Sequence, residues 1–295
     1  MNPLHHRIHN RCWNWVSASL TDTLPESSDS PASDAGSSIS SSMPWARAAT
    51  IHAHPNASAT RFRRLKAVRE VVETVGPVDG RSYAKKIQSW GPEWLSSPET
   101  AAIASWGDPI RWPGILLGTP TSFSPTSLRY LATALWLKRQ GFISDHCHIV
   151  EIGVGFGGLA AFNALVSGAH TTLVDLPQVE SLASRMLHDL GLGNFCTPSS
   201  TARPDHAACF ISNYAFTELS ATVQDEYLEK WIKHCPRGVI ISNASFFDGT
   251  IEGRSDQQIV NRLAEAGIHA EISAVCDLFS PADKLCQVSL IHWQS

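Results

Sequence analysis

The sequence predicts an α/β fold in which a parallel βαβ sheet finishes in an antiparallel hairpin. Three observations predict it. Strand and helix signals alternate from Ser124 onward, a glycine-rich turn joins the first strand to its helix, and only a short turn-like segment separates the last two strand signals. The chain has 295 residues, 43% hydrophobic and 17% charged, enough for a large core, which excludes an entirely disordered or fibrous protein. With 23 basic and 27 acidic residues the net charge is -4, so no overall positive field favours nucleic acid or anionic lipid.

Between Ser27 and Ser42 nine of sixteen residues are serine and Ile39 is the only large apolar one. Such a stretch cannot offset its chain entropy by burial, so residues 1–60 read as a disordered head. Next, RFRRLKAVREVVETVG puts Leu65, Val68, Val71, Val72 and Val75 on one helical face and closes with Gly76. Arg61, Arg63, Arg64, Lys66 and Arg69 read as its solvated face, with a membrane or acidic partner as the alternative. Residues 90–123 are loop-rich but carry Trp90, Trp94, Trp106 and Trp112, so residues 61–123 are expected to form a helical and loop-rich cap.

At Ser124 an N-cap followed by Pro125 opens a helix carrying Leu128, Leu131 and Leu135 up to Gly141. HIVEIG, HTTLVDL, a weak segment at Asn194–Thr197, ACFISN, GVIISN, HAEISAVCDL and QVSLIHW read as strands. GLAAFNALVSG, QVESLASRMLHDLG, SATVQDEYLEKWIKH and the segment opened by Ser255 and Gln258 read as helices, the last through a capping box. Only SPADK lies between the last two strands, so they must pair antiparallel. Residues 124–295 thus form the domain expected to carry the cofactor.

Seven scattered cysteines without a CxxC pair suit free thiols in a reducing compartment better than disulfides or zinc. No apolar run approaches a membrane span and the first residues lack a signal peptide's apolar core, although their Arg and Ser content faintly resembles a transit peptide. The expected location is the cytoplasm.

The strongest chemical signal is Glu151-Ile-Gly153-Val-Gly155-Phe-Gly157-Gly158, between a strand and a helix. Glycines there permit unusual torsions and close ligand approach, and the helix start offers free N–H groups. Asp175 stands 22 residues after Gly153 at the end of the next strand, where a carboxylate accepts from ribose hydroxyls. This order points to a nucleotide-type cofactor; the alternative is a glycine turn used only for packing. Glu151 beside the loop is awkward for a pyrophosphate but suits an ammonium and a sulfonium, which tilts the choice toward S-adenosylmethionine (SAM) over NAD.

The loop EIGVGFGG, the VDLPQVE segment, ISNYAFTELS with its DEYLEKWI helix, and SFSPTSLRY together resemble the sugar O-methyltransferase family, a branch of the class I SAM-dependent methyltransferases, over roughly residues 75–295. The resemblance implies a Rossmann-like seven-stranded sheet with a reversed last strand, SAM as methyl donor and a sugar hydroxyl on a small-molecule acceptor. It places Gly153, Gly155 and Gly157, with Phe156 among them, under the methionine part, and Asp175 at the ribose. It puts Glu151 near the amino group, Leu176 beside the adenine and Asn213 on the sulfonium side. Around Thr197–Thr201 the chain departs from the superfamily pattern: TPSST holds no acid for the adenine amine.

Methyl transfer to a hydroxyl needs alignment, water exclusion and a proton acceptor or metal. Glu218, five residues past the ISN strand, is the favoured base; the alternative is a carboxylate set at a helix start by the dipole. Tyr214 reads as a substrate-orienting or a packing residue, and Asp248 as a second acid or a turn residue. Arg129 and Tyr130 reach the site only if their helix covers it, and Trp106 and Trp112 either stack on a sugar or pack in the cap. His146 and His148 lie at the opposite, amino end of the first strand, so no metal site is expected. Two other readings remain open from sequence: an NAD-linked oxidoreductase, and a methyltransferase-like binding protein without turnover.

Overall fold

The computed structural model describes residue 22 and residues 43–111, 123–203, 207–246 and 252–294. The expected head differs from the structure within these bounds. Helix α1 (Met43–Ala53) buries Trp45, Ala48 and Ala49, because apolar residues reappear as soon as the serine run ends. The predicted helix over 61–76 is also broken. A 3₁₀ turn at Phe62–Arg64 and the single turn α2 (Lys66–Arg69) replace it, and Gly76 instead precedes α3 (Pro77–Trp90). The cause is Arg63, which is not on a solvated face but buried, with its charge paired to Glu73 at 2.5 Å. Its remaining N–H groups go to the carbonyls of Ala104 and Trp106 and the hydroxyls of Ser124 and Ser127. Within the loop-rich stretch, Pro98–Ser105 is helical (α4), capped by Ser97.

Ser124 accepts from the Ser127 N–H and starts α5 (Pro125–Arg139), whose residues are mostly buried and which packs on α3 and on the helix Gly158–Ser167. The alternating elements follow: β1 (His148–Ile152), α6 (Gly158–Ser167), β2 (His170–Val174), α7 (Pro177–Asp189), β3 (Cys196–Pro198) and β4 (Cys209–Asn213). Then come α8 (Ala221–Lys230), β5 (Arg237–Ser242), α9 (Asp256–Glu265), β6 (Glu271–Ser273), α10 (Pro281–Leu285) and β7 (Ser289–Gln294). The capping box at Ser255 forms as expected, whereas SPADK is a short helix with a capping box of its own at Ser280, not a bare turn.

The seven strands order as β3-β2-β1-β4-β5-β7-β6, all parallel except β7, which runs antiparallel to both neighbours. This is the expected Rossmann-like seven-stranded sheet with a reversed last strand. One face packs Ile149, Leu173, Ile211 and Val239 against α5, α6 and α7; the other packs Val150, Phe210, Ile240 and Ile291 against α8 and α9. Asp256 accepts from the hydroxyls of Ser242 and Ser289, tying β5 to the reversed β7 at the carboxyl edge. Among the described residues no helix is long and apolar enough to cross a membrane, and the cysteines are free.

Candidate active site

Parallel pairing in register brings the ends of β1, β2 and β4 to one edge: Ile152 lies beside Val174 and Ser212, and Asn213 beside Ile241. Glu151, Gly153, Asp175, Asn213 and Tyr214 therefore converge there, as the alternation of elements requires. The glycine turn is tight: Gly153 has φ +77°, and a Cβ on it would come within 2.0 Å of the Ala215 Cβ. Gly155, at φ +54°, lies against Val72, so the cap closes over the turn from the other side.

Glu151 is 2% exposed, and its Oε2 has no hydrogen-bond partner among the described residues. Burial, with the nearby Asp175 charge adding to it, pushes its carboxyl up to about 8. Asp175 accepts from the N–H of Leu176 at 2.8 Å and of Gly155 at 3.3 Å, which lashes the glycine turn to the end of β2. Burial nevertheless lifts it to about 7, those two N–H bonds opposing the shift. Asn213 has both amide atoms buried and, among the described residues, unpartnered. A pair of carboxyls held near neutrality and an unsatisfied amide are the residues one expects where a cationic, hydrogen-bonding ligand completes the site.

Glu180 in the first turn of α7 was not legible as a site residue. It accepts from the Asp175 N–H and from the N–H and hydroxyl of Ser199, and so fixes the segment after β3 where an acid was missing. Phe156, expected near the cofactor, is 1% exposed and committed to packing: it stacks on Trp106, meets Tyr130 edge-on and lies under the Arg63 guanidinium. Trp106 is accordingly a cap core residue, its indole N–H donating to Asp189. Leu176 is half-buried beside Asp175.

Past β4 the chain turns through Tyr214, a non-glycine residue at φ +77°, into a 3₁₀ turn over Ala215–Glu218. Glu218 accepts from the Asn243 side-chain amide at 3.0 Å, and burial raises its carboxyl against that bond. No bond from Glu218 caps α8, so the dipole reading has no contact behind it, while a raised carboxyl suits a general base. The Tyr214 hydroxyl donates to Asp283 at 2.9 Å, and the Tyr83 hydroxyl to the same carboxylate at 2.8 Å. Burial and the Asp283 charge push the Tyr214 phenol well up, so it donates rather than accepts a proton. Asp283, on α10, lies 200 positions from Tyr83 and no local pattern announced it. Arg129 reaches this cluster, its guanidinium over both the Tyr130 and Tyr214 rings.

Asp248 and Trp112 lie outside the described residues. His148 is at the far edge, within hydrogen-bond distance of Thr172; His146 precedes the strand at φ +57° and does not share its alternation.

No protein-family model matches the chain, and no curated protein is significantly similar to it. Among solved structures it is similar to the mitomycin 7-O-methyltransferase MmcR, with 22% identity and a TM-score of 0.45 over 59% of this chain and 55% of that one. It thus spans just over half of that protein. A geranyl diphosphate C-methyltransferase from Streptomyces coelicolor A3(2) is 13% identical, with a TM-score of 0.43 over 55% of this chain and 74% of that one. An O-methyltransferase family protein from Burkholderia thailandensis is 12% identical, with a TM-score of 0.40 over 58% and 59%. These similarities are low, and the fold class rests on the strand order and the reversed β7.

Proposed function

We propose that the protein is a SAM-dependent O-methyltransferase that acts on a hydroxyl of a sugar or sugar-containing small molecule. The observation that carries the donor is the unpartnered, buried Glu151 carboxyl beside Asp175 at the ends of adjacent strands. An ammonium at Glu151 relieves the desolvation of its charged form, and Asp175 keeps acceptor capacity for ribose hydroxyls beyond the two N–H groups it already takes. When bound, SAM supplies a methyl group already activated by its sulfonium.

The chain's own part is to order the acceptor and take its proton. Glu218, held by Asn243 and raised by burial, receives the hydroxyl proton as the oxygen attacks. Tyr214, anchored by Asp283, orients the acceptor beside it. The cap closes the glycine turn through Val72 and excludes water. A sugar as acceptor rests on the ISNYAFTELS and SFSPTSLRY segments.

A dinucleotide oxidoreductase is the weaker reading, because after β4 and β5 the sheet turns back through β7 instead of completing a second mononucleotide half. Calorimetry with SAM and S-adenosylhomocysteine, followed by transfer of labelled methyl to a panel of sugars, tests the proposal. Binding without transfer to any hydroxyl would reduce it to a binding protein. An absorbance change with a nicotinamide cofactor would replace it.

A further inference from the structure

Among the described residues Glu218 is bonded through one group, the side-chain amide of Asn243, whose Nδ2 donates to the carboxyl Oε1 at 3.0 Å. An amide turned one way presents N–H to that carboxyl, and turned the other way it presents a carbonyl. Thr217 is placed to choose between the two. It is 2% exposed, and its hydroxyl lies 2.6 Å from Oδ1, the other end of the same amide. The hydroxyl also lies 2.8 Å from the Tyr214 carbonyl, but it has only one proton to give. That carbonyl already takes the Thr217 N–H at 3.2 Å, whereas Oδ1 has no other donor among the described residues. The main-chain N–H of Asn243 donates in turn to the Thr217 hydroxyl oxygen at 3.4 Å, which occupies a lone pair and leaves the proton for Oδ1. With Oδ1 engaged, the N–H edge of the amide faces Glu218.

The consequence is electrostatic. An N–H aimed at a carboxyl favours its ionised form, the one that takes a proton, whereas a carbonyl in that place favours the protonated form. No charge competes with this choice: burial raises Glu218, the Asn243 bond lowers it, and no charged side chain adds to either. On the neighbouring elements, the β4 turn and α10 contribute Tyr214 and Asp283, which are bonded to each other. The segment before α9 contributes Arg254, paired with Asp225 of α8, and Glu252, which is exposed. Two neutral side chains are left to set the acidity.

We propose that Thr217 and Asn243 are positioning residues that hold Glu218 ready as a base, the threonine hydroxyl fixing the amide and the amide N–H fixing the carboxylate. This rests on Glu218 as the proton acceptor, and a direct titration of its carboxyl separates the two. In the full chain labelled with carbon-13 at the glutamate side-chain carboxyls, the Glu218 signal is the one lost in Glu218→Gln. Its titration midpoint should move up by about one to two pH units in Asn243→Ala and by a smaller step in Thr217→Val, and return to the wild-type value in Thr217→Ser. The acidic limb of the kcat profile should follow in Asn243→Ala, with a roughly 10- to 100-fold loss of turnover below it and wild-type turnover on the plateau. Affinity for S-adenosylhomocysteine should stay unchanged in all of them. An unmoved midpoint in both Asn243→Ala and Thr217→Val would overturn the proposal. So would a lowered melting temperature with turnover reduced equally at every pH, which would make Thr217 a support for the Tyr214 turn alone. Wild-type turnover in Glu218→Gln would instead remove the base reading, and the midpoints would then decide the pairing by themselves.

Discussion

Glu151 and Asp175 set the residue-scale chemistry, because Glu151 is buried, Asp175 is half-buried beside it, and each resists ionisation. With no cation present, Glu151 holds its proton to about pH 8, whereas an unfolded chain releases it near its ordinary 4.5. A group raised on folding contributes fully below the lower value, and that contribution is lost as pH rises through the folded one. Glu151→Gln is therefore expected to stabilise the ligand-free protein at pH 8, on the order of 1–3 kcal/mol, and to leave it nearly unchanged at pH 4.5. Thermal melts at the two pH values check this, and equal shifts at both would remove the buried-carboxyl account. Ligand binding runs the other way: an ammonium selects the ionised carboxyl, so S-adenosylhomocysteine affinity should rise by up to about tenfold per unit between pH 6 and 8 and then level off. For Glu218 the expectation is intact cofactor affinity and a loss of turnover of about 10²–10⁴-fold in Glu218→Gln; unchanged turnover would retire its role as base. Glu151, Asp175 and Glu218 were legible because their distance from glycines or from a strand end fixes which edge they occupy. Glu180, Asn243 and Asp283 were not, since each acts through a partner contributed by another element.

At the scale of elements, the periodic signals gave the sheet and its helices, and the failures lie in the cap. The heptad-like spacing of Leu65, Val68 and Val72 is real burial, but it is distributed over a 3₁₀ turn, one α-turn and a loop, not over one helix. Arg63 decides this, because satisfying a buried guanidinium takes acceptors from the Glu73 segment, α4 and the start of α5 at once. No window of sequence shows such a requirement. Arg63→Met is expected to lose about 3–5 kcal/mol by leaving Glu73 buried and unpaired, and the double change with Glu73→Gln should recover part of it. A denaturant series on both variants measures this, and a neutral single substitution would show that the pair does not hold the cap. Helix α1 is bound similarly: Arg185 on α7 donates to the carbonyl of His52 in its last turn and to those of His54 and Ala57 just beyond it. In the glycine turn, Gly153→Ala should destabilise by about 1–2 kcal/mol from its positive φ alone, with more from the clash at Ala215. A melting temperature equal to wild type would contradict the tightness of that turn.

Over the whole molecule, a sheet that ends in a reversed strand places its cofactor edge under a cap built from the segments before Ser124. The composition average gave no sign of this, because the serine-rich stretch dilutes a richer core. The order of elements did, since alternation followed by a hairpin admits few topologies. The cap, the β4 turn and the β6–β7 connection meet at Asp283 through Tyr83 and Tyr214, so this hydroxyl–carboxylate cluster is assembled from three distant parts of the chain. Residues that meet only through the tertiary fold leave no trace in a window of sequence, whereas those around the glycine turn lie in one segment. The central claim is that the edge of β1 and β2 binds SAM through Glu151 and Asp175. Calorimetric titration of the intact protein with S-adenosylhomocysteine at pH 8 tests it most directly: one site per chain is expected, weakened at least tenfold in both Glu151→Gln and Asp175→Asn. No binding by the wild-type protein, or wild-type affinity in both variants, would contradict it.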